Sequence, residues 1–164
     1  MKVAIFGNIY RPMVLSCVKV LFDYFTQQKI TMMCESQLYK FIEETKDFDL
    51  QGVEVIDTDF FEADLAVSIG GDGTFLNTAA RIGNKGIPIL GINTGRLGFL
   101  ADISSEEIIP AFEAILNSQY RIENRTTLLV TTSDETTFEY PYALNEVSVS
   151  KQDSSSMISI NATV

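Results

Sequence analysis

Five short apolar runs, residues 2–6, 30–34, 53–56, 65–69 and 87–92, constrain this 164-residue chain more than any other feature. They are rich in β-branched residues and lack an alternating polar face, the pattern of parallel strands covered on both sides. Between them, Val14, Cys17, Val18, Leu21 and Phe25 keep helical spacing, as do Leu38, Phe41, Ile42, Thr45 and Phe48. A third helix is predicted over residues 75–82, ended by Gly83. Strands alternating with helices wind right-handed into an open, mostly parallel sheet with flanking helices. Residues 1–100 are therefore expected to form an α/β nucleotide-binding domain.

Residues 101–164 read differently. Residues 106–117 have a helical pattern, with Pro110 starting the main body of the helix or kinking it. Residues 128–132, 138–142, 144–150 and 157–164 are strand-like, with turn signals at Ser133-Asp134 and residues 153–156. This antiparallel pattern marks the beginning of a second, β-rich domain, with the boundary near Ala101-Asp102. Its last run alternates apolar and polar residues to the final position without a turn or polar tail, so the second domain is expected to be incomplete.

Composition narrows the function. At 46% hydrophobic residues the chain can bury a core, which rules out disorder as a description of the whole. It has no histidine, and that removes serine–histidine and cysteine–histidine hydrolases and most catalytic zinc designs. A net charge of −10 argues against a nucleic-acid partner. The first hundred residues hold 9 basic and 12 acidic side chains and the rest 3 and 10, a solvated acidic surface or an acidic docking face. Cys17 and Cys34 form no CxxC pair and sit among apolar residues, as buried reduced thiols would. The apolar run at residues 3–6 is too short for a signal peptide, and no stretch is long enough to span a membrane. The expectation is a cytoplasmic protein with small-molecule partners and no membrane association.

The strongest local signal is Ser68-Ile69-Gly70-Gly71-Asp72-Gly73-Thr74. It follows an apolar strand and opens a helix, where doubly wound sheets bind ligands. Gly70, Gly71 and Gly73 permit a sharp turn and close backbone approach, and the helix N-terminus beyond Thr74 attracts phosphate. The loop is neither a GxxxxGK[ST] phosphate loop nor a GxGxxG dinucleotide fingerprint. Asp72 is unusual in an anion-binding turn. It fits a residue that orients a hydroxyl beside the phosphates or takes its proton, or else a turn aspartate bonding its own backbone.

These residues resemble the GGDGT motif shared by NAD kinases and by diacylglycerol- and sphingosine-type lipid kinases, with GGDGS in phosphofructokinases. Residues 87–100, IPILGINTGRLGFL, are similar to the PILGINxGxLGFL stretch of NAD kinases, and lipid kinases have a GTGNDFA-type sequence there instead. Ala143-Leu144-Asn145-Glu146-Val147 resembles the ALNE segment of NAD kinases. The resemblance implies phosphoryl transfer from ATP or polyphosphate to the 2′-hydroxyl of the adenosine ribose of NAD, giving NADP. It implies that Asp72 is base-like, with Gly73 beside it in the NAD pocket, and that Asn145 and Glu146 contact the ribose and nicotinamide region. Asn can donate and accept bonds to ribose hydroxyls, and an ionised Glu accepts two. Phe99 packs either against a ligand ring or into the core. Arg96 either offsets charge repulsion with the substrates or is a plain surface arginine. Asn77, on the first turn after the motif, is a further contact candidate.

A magnesium ion would be held mainly by phosphate oxygens, since the sequence offers no carboxylate cage and no residue is singled out as a metal ligand. The family's later glycine- and threonine-rich segment, of the type GLIxxTPTGSTAY, has no match here. The chain thus corresponds to the first half or somewhat more of such an enzyme. On its own it is expected to be poorly active, and the complete enzyme to be a homo-oligomer, dimer or tetramer. The competing readings are a lipid kinase using the same loop and a catalytically silent nucleotide-binding module.

Overall fold

The two-sided apolar runs place the central strands of the main sheet between helical layers. The computed structural model describes residues 1–95, 98–133, 138, 140–151 and 157–161. Six strands, β1 (Lys2–Gly7), β2 (Thr31–Glu35), β3 (Glu54–Ile56), β4 (Leu65–Gly70), β5 (Ile89–Asn93) and β6 (Ile103–Ser104), pair in parallel in the order β3-β2-β1-β4-β5-β6. The helices are α1 (Val14–Gln28), α2 (Ser36–Thr45), α3 (Asp72–Ile82) and α4 (Ile108–Leu116).

Alternation along the strands sorts the core into two layers. Val3, Ile5, Cys34, Val67, Ile69 and Ile92 pack with side chains of α1, α2 and α4. Ala4, Phe6, Met33, Ile56 and Ala66 face the other way, toward Ile82 of α3 and toward Phe61 in the segment before β4. The chain runs outward from β1 to β3, then returns to start β4 on the other side of β1. Right-handed crossovers on both sides of that reversal require helices on opposite faces, which is where α1 and α3 lie. The α/β expectation for the first hundred residues matches this architecture.

The helix ends follow from local chemistry. Glu35 caps α2 by accepting from the Gln37 and Leu38 N–H groups, both at 3.0 Å. Lys29 and Lys46 end α1 and α2 in the left-handed region, and Gly83 ends α3 at φ +56°. Phe48 does not extend α2 as its spacing suggested. It lies beyond the cap and meets the Phe22 ring edge-on at 5.7 Å. Cys17 and Cys34 are both buried and unbridged, and burial pushes each thiol's pKa upward.

Two elements beyond Ala101-Asp102 pack on the α/β layers. β6 pairs with β5, and α4 docks on α1 through Phe112, whose ring meets Phe25 edge-on at 4.7 Å. Two-residue β6 is too short to leave a periodic signature, and the Phe112 contact is long-range. Pro110 does not kink α4. It stands in the first turn, where its missing N–H has no intrahelical partner to lose, after a 3₁₀ turn at Ser105–Glu107.

Beyond α4, β7 (Leu128–Leu129) and β8 (Tyr142–Ala143) form a small antiparallel pair. The strand-like run at residues 144–150 and the described part of the run at 157–161 form no strand. Their alternation defines a face, but among the described residues no strand pairs with them, and Val149, Met157 and Ile160 are exposed.

Phe112→Ala tests whether α4 belongs to the α/β unit. Loss of this fully buried ring should destabilise the chain by about 3–5 kcal/mol in urea titration, whereas Met157→Ala, at a side chain 98% exposed, should stay within about 0.5 kcal/mol of wild type.

Candidate functional site

Where the strand order reverses, the carboxyl ends of β1 and β4 diverge and leave a crevice. A cleft of about 730 Å³ opens there. Its walls are the loop after β1 (Gly7 to Arg11), the Gly71–Thr74 turn, and one stripe of α3. Gly73, Asn77 and Arg81, each four residues from the last, run down the middle of it, with Thr78 and Ala80 beside them. A cavity of about 810 Å³ lies among Lys2, Glu54, Lys85 and Ile87, at the opposite end of the strands. It holds none of the motif residues, so the smaller cleft is the candidate site.

The glycines of the motif do different jobs. A Cβ at Gly70 would overlap the Thr74 side chain, 2.7 Å from its Cβ, so Gly70 is required by packing inside the turn. Gly71 and Gly73 have neither positive φ nor any atom that a Cβ would meet within 4 Å. Neither strain nor crowding within the chain demands glycine there. Both line the cleft, and a bare backbone at that place leaves room for a ligand to reach the N–H groups of the α3 N-terminus.

Asp72 is the first residue of α3, after Gly71 as N-cap. Its partners come from another segment: Phe99 N–H donates to Oδ2 and Leu100 N–H to Oδ1, both at 3.0 Å. These bonds, with a further contribution from Ala101, hold its carboxyl below the usual carboxylate range. The carboxylate is ionised mainly by these amides, with the favourable end of the α3 dipole beside it. A Cβ on Gly98 would come within 2.8 Å of Asp72 Cγ, so glycine at 98 is what lets the two segments close. The loop is also tied to β5 by Thr94 N–H donating to the Gly70 carbonyl at 3.0 Å.

The other expected residues are only partly gathered. Asn77 is exposed and lines the cleft. Phe99 puts its N–H on Asp72 while its ring is 93% exposed, and so is not in the core. Asn145 and Glu146 are exposed and do not line the cleft, and Glu146 accepts from the Ser148 hydroxyl at 3.4 Å. The segment just before them reaches the site, however, since Tyr140 lines the cleft. Arg96 lies outside the described residues.

Arg81 and Glu35 are cleft residues that the sequence reading missed. Arg81 Nε lies 3.3 Å from Asp59 and Nη1 3.5 Å from Glu35, and its side chain is only 13% exposed. Its guanidinium stands over the Phe6 ring at 5.3 Å and the Tyr140 ring at 6.0 Å. The spacing 73-77-81 was the signal that could have found it. Among the described residues, no three histidine, cysteine, aspartate or glutamate side chains converge as metal ligands.

A doubly wound sheet with a glycine-rich turn at its switch point is the build of a nucleotide-binding α/β domain. Residues 3–120 match the family described as ATP-NAD kinase N-terminal domain, and the chain belongs to that family. It is 43% identical over 164 residues to the NAD kinase of Bacteroides fragilis, covering 100% of this chain and 57% of that protein. With the NAD kinase of Flavobacterium johnsoniae it is 36% identical over 167 residues, covering 98% of this chain and 56% of that one. The chain thus spans little more than half the length of these curated relatives. The crystal structure of yeast NADH kinase complexed with NADH aligns with a TM-score of 0.73 at 19% identity, over 88% of this chain and 47% of that chain, a likeness of fold.

Gly98→Ala should separate the Phe99 and Leu100 amides from Asp72. The Asp72 carboxyl should then titrate closer to its ordinary value of 3.8 than in the wild type, measured by carboxyl-carbon NMR against pH.

Proposed function

We propose that this chain is the phosphate-loop portion of an NAD kinase, which moves the terminal phosphoryl group of ATP, or of polyphosphate, to the 2′-hydroxyl of the adenosine ribose of NAD. The observation that carries this reading is the clamp between two motifs: Asp72 of the GGDGT turn is held by the amides of Phe99 and Leu100, at the end of the IPILGINTGRLGFL segment.

In the transfer, the ribose 2′-oxygen attacks the terminal phosphorus, the bond to the bridging oxygen breaks, and the hydroxyl proton leaves late. Such chemistry depends on positioning and charge stabilisation more than on covalent participation. Gly71 and Gly73 give the phosphates access to backbone N–H groups. Asp72 is too acidic to deprotonate a ribose hydroxyl early. Its two oxygens have about four acceptor sites between them, more than the amides of Phe99, Leu100 and Ala101 use, so it can still orient the hydroxyl and accept its proton as transfer completes. Asn145 and Glu146 are assigned to the ribose and nicotinamide side, with Asn77 and Phe99 as further contacts. Among the described residues, no three histidine, cysteine, aspartate or glutamate side chains converge to hold a metal. A magnesium ion would therefore travel on the donor's phosphates. We further propose a cytoplasmic enzyme that works as a homo-oligomer, with weak activity in these 164 residues alone.

Two substitutions separate binding from catalysis. Gly71→Ala should leave stability within about 0.5 kcal/mol, because the added Cβ meets nothing and φ is −113°, yet weaken ATP binding about tenfold or more by calorimetry. Unchanged ATP affinity would remove the loop from the site.

Asp72→Asn keeps the shape and loses the charge. Turnover should fall about 10²–10⁴-fold with NAD affinity changed less than about tenfold, measured in whatever length of the chain turns over. The carboxyl's folded pKa is depressed, so its contribution to stability is present above its unfolded value and lost as pH falls through the folded one. The gap in melting temperature between wild type and Asp72→Asn should therefore close as pH falls below about 4.

A further inference from the structure

Asp72 takes its amides from the segment that joins β5 to β6. The two strands are parallel, with Ile92 opposite Ile103 and Asn93 opposite Ser104. Only residues 94–102 connect them, fewer than the dozen or more that a parallel crossover ordinarily takes. A connection this short has to be folded back on itself and held there.

Asn93, the last residue of β5, reaches both ends of it. The residue is only 6% exposed. Its Oδ1 accepts from Gly95 N–H at 2.8 Å, and its Nδ2 donates to the Ala101 carbonyl at 3.4 Å. A buried side-chain amide needs such partners, and this one finds them on the segment it closes. Ala101 is itself buried and rests against Gly91 of the same strand, where a Cβ would lie 2.7 Å from the Ala101 Cα. With its carbonyl turned to Asn93, Ala101 fixes the chain immediately after Phe99 and Leu100, and its own N–H adds to the bonds on Asp72. At the near end, Thr94 N–H donates to the Gly70 carbonyl at 3.0 Å, which ties the same segment to the turn that carries Asp72.

We infer that Asn93 is a positioning residue: it closes the segment between β5 and β6 and so presents the Phe99 and Leu100 amides to Asp72. Its consequence for phosphoryl transfer rests on the proposed NAD kinase reading; the closing of the segment does not. The competing account is that the pairing of β5 with β6 holds the segment by itself, and Asn93 only finishes the strand. Arg11, Glu35 and Arg81, the charged side chains that line the cleft with Asp72, take no part in either of these Asn93 bonds.

Asn93→Ser separates the two accounts. The hydroxyl can still accept from Gly95 N–H but is too short to reach the Ala101 carbonyl. Asn93→Asp keeps the volume and the Gly95 bond, has no N–H for Ala101 when ionised, and covers failure of the first variant to fold. In the 164-residue chain, carboxyl-carbon NMR against pH should show Asp72 titrating closer to its ordinary 3.8 in both variants, with shifted amide resonances at Phe99 and Leu100. Glu107 is the internal control. The hydroxyl and N–H of Ser104, on β6, hold its carboxyl below the usual range, so it would rise as well if the β5–β6 pairing itself had loosened. Asp72 at its wild-type midpoint in both variants, or Glu107 rising together with it, would overturn the inference.

In a length of the chain that turns over, Asn93→Ser should lower turnover about tenfold or more, yet by less than about twofold when Asp72 is already asparagine. Equal losses in the two backgrounds would mean that Asn93 does not act through Asp72, and would also overturn it. If the wild-type protein does not phosphorylate NAD, the NAD kinase reading fails, and the two titrations alone decide the role of Asn93.

Discussion

The contact between Asp72 and the amides of Phe99 and Leu100 governs how the rest of the site is arranged. It joins the turn after β4 to the segment after β5, 27 and 28 residues further on. A charged acceptor roughly doubles the strength of such bonds relative to neutral ones. It anchors the loop after β5 against α3, and it is why Gly98 lacks a side chain. The same contact lowers the basicity of the one carboxylate in the motif, which favours a role in orientation over early proton removal.

Around this clamp, the doubly wound sheet supplies direction. Because the strand order reverses between β1 and β4, their loops part and cannot cover each other. The resulting cleft in a chain of net charge −10 is not purely acidic: Arg11 and Arg81 line it together with Glu35 and Asp72. Arg81 is already matched by two carboxylates, so it contributes shape more than net charge. What the cleft itself offers an anion is Arg11 together with the backbone N–H groups at the start of α3.

How much of this was readable from the sequence differs from one element to the next. β1, β2, β4 and β5 were legible within two residues, because strands buried on both faces carry unbroken apolar runs. β6 was not, since two residues hold no period, and the docking of α4 on α1 was not, because Phe112 meets Phe25 only through the fold. At the site, the glycine turn and its aspartate were legible as chemistry. The partners of Asp72 were not, because backbone amides leave no side-chain signature, although Gly98 marks the place where they approach. Arg81 lies on a helical stripe with Gly73 and Asn77 that could have been counted. Its two carboxylates, by contrast, come from distant ends of β2 and the loop after β3. The alternation in residues 144–150 and 157–161 describes a face that needs a partner, and periodicity cannot say whether one is present.

The two cysteines give the α/β layer an internal gauge of its own opening. Cys17 on α1 and Cys34 on β2 contribute to the same apolar cluster, and neither is accessible in the closed structure. Their raised pKa values leave little thiolate at neutral pH, so a thiol reagent can label them only when the layer opens. The rate of labelling therefore reports the free energy of that opening, from sulfurs that lie outside the cleft. Ligands that close the cleft would slow the reaction without touching either sulfur, so occupancy of the site can be followed by chemistry at two atoms in the core.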